Sequence, residues 1–147
     1  MAKRILAPMD GREPSEAIVP VVAALAHENG ATVRLLRIFP VPERVIGSHG
    51  RTVAYSDQEM ARLTSEGLDA LAHVETALDR VPVESVVRFG DTVEEIVREA
   101  EAFDADLIAL VASPRDRLRE ALAPGVAARV ARKVPVPTLV LQESGAR

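Results

Sequence analysis

The amino-acid sequence predicts an α/β protein with an open parallel sheet of five strands and helices on both faces. Two observations lead to this fold class. Short apolar runs alternate with stretches of helical apolar spacing along all 147 residues, the order expected of parallel strands joined by right-handed helical crossovers. The segment 106–112 contains a continuous apolar run, which is typical of a strand buried on both faces.

The first three elements follow from apolar spacing and from the positions of proline. A short strand is predicted at residues 5–7 and is expected to end at Pro8. A helix is predicted at 15–29, with a kink or a late start at Pro20, because proline cannot donate the helical hydrogen bond. The β-branched and aliphatic residues of 32–39 predict the second strand.

The remaining elements continue the alternation. Residues 41–56 are predicted to form a loop, and Ser56, with Glu59 in the capping-box position, is predicted to cap a long helix that ends near Asp79. Further predicted elements are a strand at 83–89, a helix at 92–103, a strand at 106–112, a loop at 113–125, a helix at 126–133, a strand at 137–142 and a frayed tail at 143–147. No linker or repeat divides the sequence, so residues 1–147 are expected to form a single domain.

Composition argues against several classes of function. There is no cysteine, which excludes disulfides, thiolate metal sites and a cysteine nucleophile, and which agrees with the cytoplasmic location that we expect. A net charge of −4 without a basic tract argues against nucleic-acid binding. No apolar run approaches the roughly 20 residues of a membrane span, and the apolar stretch near the N-terminus is too short for a signal peptide.

Ligands of open parallel sheets bind beyond the carboxyl ends of the strands, at the point where the strand order reverses. In this sequence the loops that follow the first, second and fourth strands span 7–14, 38–50 and 111–126. A ligand site is therefore expected among these three loops.

Five short segments, in order and properly spaced, resemble a known protein family. They are KRILAPMDGREPSEA at 3–17, VRFGD at 87–91, ADLI at 105–108, VAARV at 126–130 and VPVPTLV at 134–140. These segments resemble the strand ends, turns and last helix of universal stress proteins, and the resemblance extends from Lys3 to Gln142.

This resemblance implies a Rossmann-like, adenine nucleotide alpha hydrolase-like fold with strand order 3-2-1-4-5. It also implies a position for a nucleotide, because many members bind ATP through a loop of the form Gly-x2-Gly-x9-Gly-(Ser/Thr) after the fourth strand. In such a loop, backbone N–H groups converge on the phosphates beside a helix N-terminus, and glycine lets the backbone approach closely.

The corresponding loop of this sequence departs from that pattern at every glycine. Alignment of the fourth strand places Val111 and Pro114 at the first two glycines, Pro124 at the third and Gly125 at the Ser/Thr position. Val111 adds a branched side chain, and each proline removes an N–H donor. The loss of two charge-assisted hydrogen bonds would weaken phosphate binding by about two to four decades.

Other parts of the implied adenosine pocket are retained. Asp10 matches the acidic residue that the family places near the ribose. The neighbouring candidates are Pro8 and Met9 on the first strand, Phe39 (or Ile38) on the second, and Leu110 and Val126 on either side of the loop.

Alternatives remain open for the polar candidates. Asp10 could equally cap the first helix or form an Asx turn, whereas a phosphoacceptor role lacks the second acidic residue that it would need. Arg115, with Arg117 and Arg119 nearby, could hold an anion or could belong to a solvated loop. Arg12 brings a further cation close to the pocket.

Two other patterns are weak. The sequence GSHGR at 47–51 looks like a phosphate loop, but it follows the second strand instead of the fourth, so we interpret it as an ordinary loop. Asp69 and His73 have a spacing that can chelate a metal on a helix, but no third ligand is apparent and no metal site is expected. No nucleophile with a partner base is visible, so no catalytic residues are expected.

The last strand contains Thr138, Leu139, Val140 and Leu141 and is expected at an edge of the sheet. An uncovered apolar edge favours association with another strand. In universal stress proteins this strand commonly pairs with its own copy across a two-fold axis, so the resemblance implies a homodimer through the C-terminal strand.

The sequence leads to two main functional hypotheses. The first is a non-enzymatic, homodimeric universal stress protein without a cofactor, which acts in the stress response by interaction or regulation. The alternative is a divergent adenine-nucleotide-binding member that holds ATP or AMP weakly through the adenosine pocket and loop arginines. An ATP-hydrolysing enzyme has the least support, because no general base or metal set can be assigned.

Overall fold

A computed structural model of the 147-residue chain describes residues 2–11, 13–42, 45–46, 52–54, 56–112 and 125–142. The strands within these ranges are β1 (Arg4–Met9), β2 (Thr32–Phe39), β3 (Val45–Ile46), β4 (Thr52–Ala54), β5 (Val83–Phe89), β6 (Leu107–Ala112) and β7 (Thr138–Gln142). The helices are α1 (Val19–Asn29), α2 (Ser56–Glu75), α3 (Thr92–Phe103) and α4 (Val126–Lys133), with a 3₁₀ helix at Glu13–Ile18 before α1.

Five of the strands form one parallel sheet in the order β5-β2-β1-β6-β7. Because β3 and β4 form a separate two-stranded antiparallel sheet, this order is 3-2-1-4-5 when only the five sheet strands are numbered. The predicted fold class is therefore confirmed.

The sheet separates two apolar cores, since successive side chains of a strand point to opposite faces. Helices α1 and α2 cover one face, where Val22 and Leu71 pack with Ile5 and Leu35. Helices α3 and α4 cover the other face, where the buried residues include Leu6, Leu36, Ile96, Ile108 and Val130. With both faces covered, the carboxyl ends of the strands form the crest on which a ligand site is expected.

Proline affects the first two elements differently from the prediction. Strand β1 continues through Pro8 to Met9, so the expected end of the strand at Pro8 is wrong. Backbone groups of Arg4 face β6, as shown by the bond from Asp106 N to Arg4 O at 2.8 Å. Pro8 lies four residues after Arg4, and alternate residues of a strand direct their backbone groups to the same neighbour. The N–H group that proline lacks would therefore also face β6. Its ring therefore interrupts pairing with β6 while pairing with β2 continues to Met9.

The late start predicted at Pro20 is confirmed. The segment before it forms the 3₁₀ helix, and the α-helix begins at Val19 with proline in its first turn. Proline is tolerated there because the first N–H groups of an α-helix have no partner within the helix.

Two predictions for the middle of the chain are wrong in detail. The loop predicted at 41–56 contains β3 and β4, which are two and three residues long and too short to show a periodic pattern. Ser56 is the first residue of α2, not its cap, and Glu59 forms an ion pair with Arg62.

Helix α2 ends at Glu75, before the predicted end near Asp79. The hydrogen bonds from Ala77 N to Val74 O and from Leu78 N to Glu75 O, both 3.0 Å long, join residues three apart. The hydroxyl of Thr76 donates to His73 O at 2.6 Å. The chain thus passes from α-helical bonding into tighter turns, while apolar spacing continues because Leu78 remains in the core.

Candidate functional site

The carboxyl ends of β1 and β6 diverge, and a cavity lies at this divergence. Strand β1 pairs with β2 along its whole length, but it pairs with β6 only at Ile5 and Leu6. From β1 the chain passes to β2 through α1 on one face of the sheet, and it enters β6 from β5 through α3 on the other face, which makes the gap between β1 and β6 the switch point of the fold. Pro8, which cannot donate to β6, lies where the gap opens.

The cavity has a volume of about 200 Å³. It is lined by Pro8, Met9, Asp10, Leu36, Arg37, Ile38, Thr92, Ile96, Leu110, Val111 and Val126. Six of these residues were expected at the site from the sequence: Pro8, Met9, Asp10, Leu110, Val111 and Val126. Ile38, which was expected as the alternative to Phe39, is a seventh. Strands β1, β2 and β6 and the first turns of α3 and α4 together supply the walls.

Two other expected residues are not among those that line the cavity. Gly125 precedes α4 as its N-cap and has an extended backbone conformation. Phe39, at the end of β2, stacks on Phe89 with ring centroids 5.9 Å apart. A Cβ built on Gly67 of α2 would come within 3.0 Å of the Phe39 ring, so this ring packs towards α2.

Four candidates from the sequence lie outside the described residues: Arg12, Pro114, Arg115 and Pro124. The same is true of Arg117 and Arg119 and of the segment 47–51. Of the 111–126 segment, the structure thus describes the two ends, and Val111 and Val126 at these ends line the cavity.

Sequence reasoning missed Arg37. This residue pairs with Met9 in the β1–β2 register and lines the cavity. Its guanidinium carbon lies 4.3 Å from the centroid of the Phe39 ring, and burial lowers the pKa of Arg37 although the charge of Asp10 opposes this shift. A charged residue near the carboxyl end of a largely apolar strand, next to an expected ligand loop, is the signal that could have identified it.

The first turn of α3 is fixed to the cavity wall by its cap. The carboxylate of Asp91 accepts a hydrogen bond from the backbone N–H of Glu94 at 3.0 Å, which satisfies a free donor of the helix. Thr92 and Ile96, one turn apart, then face the cavity.

An ion-pair chain fixes α3 to the sheet behind the cavity wall. Glu95 and Glu99 are only 4% and 3% exposed. Arg88 binds Glu95 at 2.8 Å and Glu99 at 2.9 Å, and Arg34 reaches Glu99 as well as Glu84. Each buried carboxylate thus has two cationic partners, since Arg98 also binds Glu95, which is the arrangement in which buried charge is tolerated.

The described residues contain no group of three or more His, Asp or Glu side chains that could hold a metal ion. Within the same residues, no helix is both long and apolar enough to cross a membrane. The titratable residues of the cavity lining are Asp10 and Arg37. The site can therefore offer one carboxylate, one guanidinium and one hydroxyl, from Thr92, against an apolar wall.

The parallel sheet with order 3-2-1-4-5 and a crevice at its switch point defines a Rossmann-like protein of the adenine nucleotide alpha hydrolase-like type. Comparison with family models is consistent with this class: residues 1–142 match the model of the universal stress protein family. The chain belongs to the universal stress protein family.

Solved structures show the same fold along the whole chain. The chain is similar to a universal stress protein in complex with cAMP, with 17% identity, a TM-score of 0.72, and coverage of 97% of this chain and 98% of that one. It is similar to the hypothetical protein MJ0577, with 25% identity, a TM-score of 0.77 and 98% coverage of both chains. A universal stress protein from Archaeoglobus fulgidus in complex with dAMP has 19% identity and a TM-score of 0.59, with coverage of 95% and 97%. A search of curated proteins finds no match.

Proposed function

We propose that this protein is a non-enzymatic, homodimeric stress-response protein of the universal stress protein family that does not bind ATP strongly through the usual glycine loop. The observation that carries this proposal is the position of Val111. It is the last but one residue of β6 and lines the cavity, at the position where the family's nucleotide-binding pattern has its first glycine. A branched side chain there keeps a phosphate away from the backbone that would hold it.

The rest of the loop supports the same conclusion from the sequence. Pro114 and Pro124 stand at the other two glycine positions and have no N–H to donate. Gly125 has no hydroxyl at the position of the expected Ser or Thr. Phosphate binding by this loop would therefore lose two donors, which corresponds to about two to four decades in affinity.

A binding or regulatory role is favoured over catalysis by the chemistry of the cavity. Asp10 is exposed and lies in the field of the Arg37 cation. An aspartate side chain at this position can accept hydrogen bonds from a ligand hydroxyl. Hydrolysis would require a second group that positions water or a metal, and the described residues hold no cluster of three metal-ligating side chains.

The homodimer is proposed from the hydrogen-bonding direction of β7. Pro137 O accepts from Ile108 N at 3.0 Å, and Thr138 pairs with Ile108 in register. In a parallel ladder, alternate residues face the same neighbour. The backbone groups of Thr138, Val140 and Gln142 therefore face the open edge, where a second β7 can pair with them across a two-fold axis.

Calorimetric titration of the purified dimer with ATP, AMP and cyclic AMP tests the nucleotide part of the proposal. We expect no micromolar binding of ATP. Micromolar ATP binding would overturn it, as would ATP turnover that is lost in an Asp10→Ala variant. Mass spectrometry of the purified protein is an independent check, because a retained nucleotide would contradict the proposal.

A second candidate function is supported by the cavity itself. The switch-point crevice is retained, with Asp10 on its rim and an apolar wall that includes Ile38 and Leu110. Relatives of the same fold carry cAMP and dAMP in their solved structures. A divergent member could therefore bind an adenine nucleotide weakly, without the glycine loop.

The Asp10→Ala variant separates this candidate from the first. Weak binding of AMP that is lost in Asp10→Ala would favour the adenosine pocket. Binding that survives the substitution unchanged would argue against it. We place the protein in the cytoplasm as part of both proposals, on the ground that a chain without cysteine suits a reducing compartment.

A further inference from the structure

Arg37 differs from two other arginines of the sheet in what its guanidinium meets. Arg34 and Arg88 each bind two carboxylates. Among the described residues, the hydrogen bond recorded for the Arg37 guanidinium runs to Ile38 O at 3.4 Å. A bond of this length is weak, so most of the five N–H donors of Arg37 lack a good partner within these ranges.

The position of the guanidinium is nevertheless well defined. It stacks on Phe39 at 4.3 Å from the ring centroid. A Cβ built on Gly11, whose φ is +82°, would lie 3.2 Å from three of its atoms. The group is thus held at the crest of the sheet between the end of β2 and the residue that follows Asp10, beside the cavity that Arg37 lines.

The electrostatic setting of Arg37 favours an anion. Burial lowers the pKa of Arg37, since a cation loses hydration there, and the charge of Asp10 only partly compensates. A partly desolvated guanidinium that is fixed by stacking loses little further freedom when it binds. Its planar donors match the oxygens of a phosphate group in pairs.

We propose that Arg37 is the anion-recognising residue of the cavity, and that the ligand carries a phosphate group held by this guanidinium instead of by the loop after β6. The inference rests on the second candidate function, a ligand site in the cavity, and names the group that would determine its specificity. In this arrangement one side chain from β2 binds the phosphate, in place of the backbone N–H groups of the loop after β6.

The test is a calorimetric comparison of adenosine with AMP on the full chain. For the wild type we expect AMP to bind about 10- to 100-fold more tightly than adenosine, the gain typical of one charge-assisted contact. In Arg37→Ala the two affinities should become equal while that of adenosine is unchanged. Arg37→Lys should restore part of the preference, since it keeps the charge without the paired donors.

Two controls keep the result interpretable. Arg62→Ala removes an arginine that is 57% exposed on α2 and bound to Glu59 and Glu66, and it should leave the AMP preference intact. If Arg37→Ala unfolds, Arg37→Met keeps an unbranched stem on the Phe39 ring and tests the charge alone.

Three results would overturn the proposal. An AMP preference that persists in Arg37→Ala would refute the role of Arg37 and leave nucleotide binding in place. Equal affinities of the wild type for AMP and adenosine would also refute the role of Arg37, because the phosphate group would then add nothing to binding. A wild type that binds neither compound would overturn this inference together with the second candidate function, and the first proposed function would stand.

Discussion

Gly90 lies so close to Glu95 that residue 90 has no room for a side chain. A Cβ built on Gly90 would come within 2.9 Å of Glu95 Oε2. The carboxylate cannot easily move away, because Arg88 and Arg98 each bind it at 2.8 Å. Gly90 also has a φ of +146°, and its N–H donates to Phe39 O at 3.0 Å. The turn into α3 therefore depends on glycine for both space and backbone conformation.

Gly90→Ala is expected to lower the free energy of unfolding by about 2–4 kcal/mol, because backbone strain and a displaced buried ion pair add together. Gly30→Ala is the matched control. Gly30 has a φ of +65°, but its nearest neighbour, Lys3 Nζ, would lie 4.0 Å away from the new Cβ. Gly30→Ala should therefore lower the free energy of unfolding by only about 1 kcal/mol. Urea unfolding measures both values, and equal losses would contradict the steric role of Glu95.

Glu99→Gln is expected to destabilise the protein by about 2–3 kcal/mol, since it removes the charge that two arginines share. Glu99 is 3% exposed, whereas the side chains of Arg34 and Arg88 are 20% and 30% exposed and can be partly rehydrated. Glu66→Gln, in a pair whose side chains are 60% and 57% exposed, should cost less than about 1 kcal/mol. Chemical denaturation measures the free energy of unfolding of both variants. If Glu99→Gln loses no more stability than Glu66→Gln, the buried ion pair is not the stronger of the two.

Asp106 should make stability depend on pH through its contact with the N-terminal strand. Its Oδ2 accepts hydrogen bonds from the backbone N–H groups of Lys3 and Arg4 at 2.7 and 2.9 Å, and these bonds lower the pKa of Asp106 below its ordinary value of 3.8. The folded state therefore binds fewer protons at this group than the unfolded state does. The stabilisation is present above pH 3.8 and is lost as the pH falls through the lower folded-state pKa.

Urea unfolding of the wild type and Asp106→Asn at pH 7 and pH 3 measures this dependence. The wild type should exceed the variant in stability at pH 7, and the difference should shrink at pH 3. Asp79→Asn, at a side chain that is 88% exposed, should show no such change. A difference between wild type and Asp106→Asn that does not vary with pH would argue against the contact.

Val140→Pro should convert the proposed dimer into a monomer without breaking the sheet. The N–H of Val140 faces the open edge of β7, so proline removes a donor to the partner strand and leaves the ladder with β6 complete. Light scattering measures the mass, and far-UV circular dichroism checks folding. Val140→Ala, which keeps the N–H, should remain a dimer.

If Val140→Pro fails to fold, Gln142→Pro tests the same edge at an exposed position at the end of β7. A dimeric mass for a folded proline variant would show that association uses another surface.

Sequence patterns predicted most of the secondary structure because these elements depend on local preferences. The apolar runs of β2, β5, β6 and β7 matched the strands closely, and α3 and α4 began and ended where capping and periodicity placed them. Very short strands, which show no periodic pattern of their own, were missed. The strands β3 and β4 are two and three residues long and exist through pairing with each other.

The residues of the candidate site also divide into those that the sequence predicted and those that only the structure shows. Six residues that line the cavity, together with Ile38 as the alternative to Phe39, were expected at the site from the sequence, since a switch point follows from strand order and the strand ends follow from apolar runs. Arg37, Thr92, Leu36 and Ile96 were not identified. Leu36 and Arg37 lie on β2 before the loop expected to hold the ligand, and Thr92 and Ile96 lie on α3, whose position beside the strand ends is decided by packing.

The sequence by itself determined the family, the alternation of strands and helices, and the replacement of the three glycines of the nucleotide-binding pattern in the loop after β6. Tertiary structure decided where Pro8 acts. In the linear pattern proline ends a strand, but in the sheet Pro8 lacks only the N–H that would face β6, so β1 stays paired with β2 and separates from β6. Which of two neighbours a backbone group faces is a property of the assembled sheet, and here it opens the cavity.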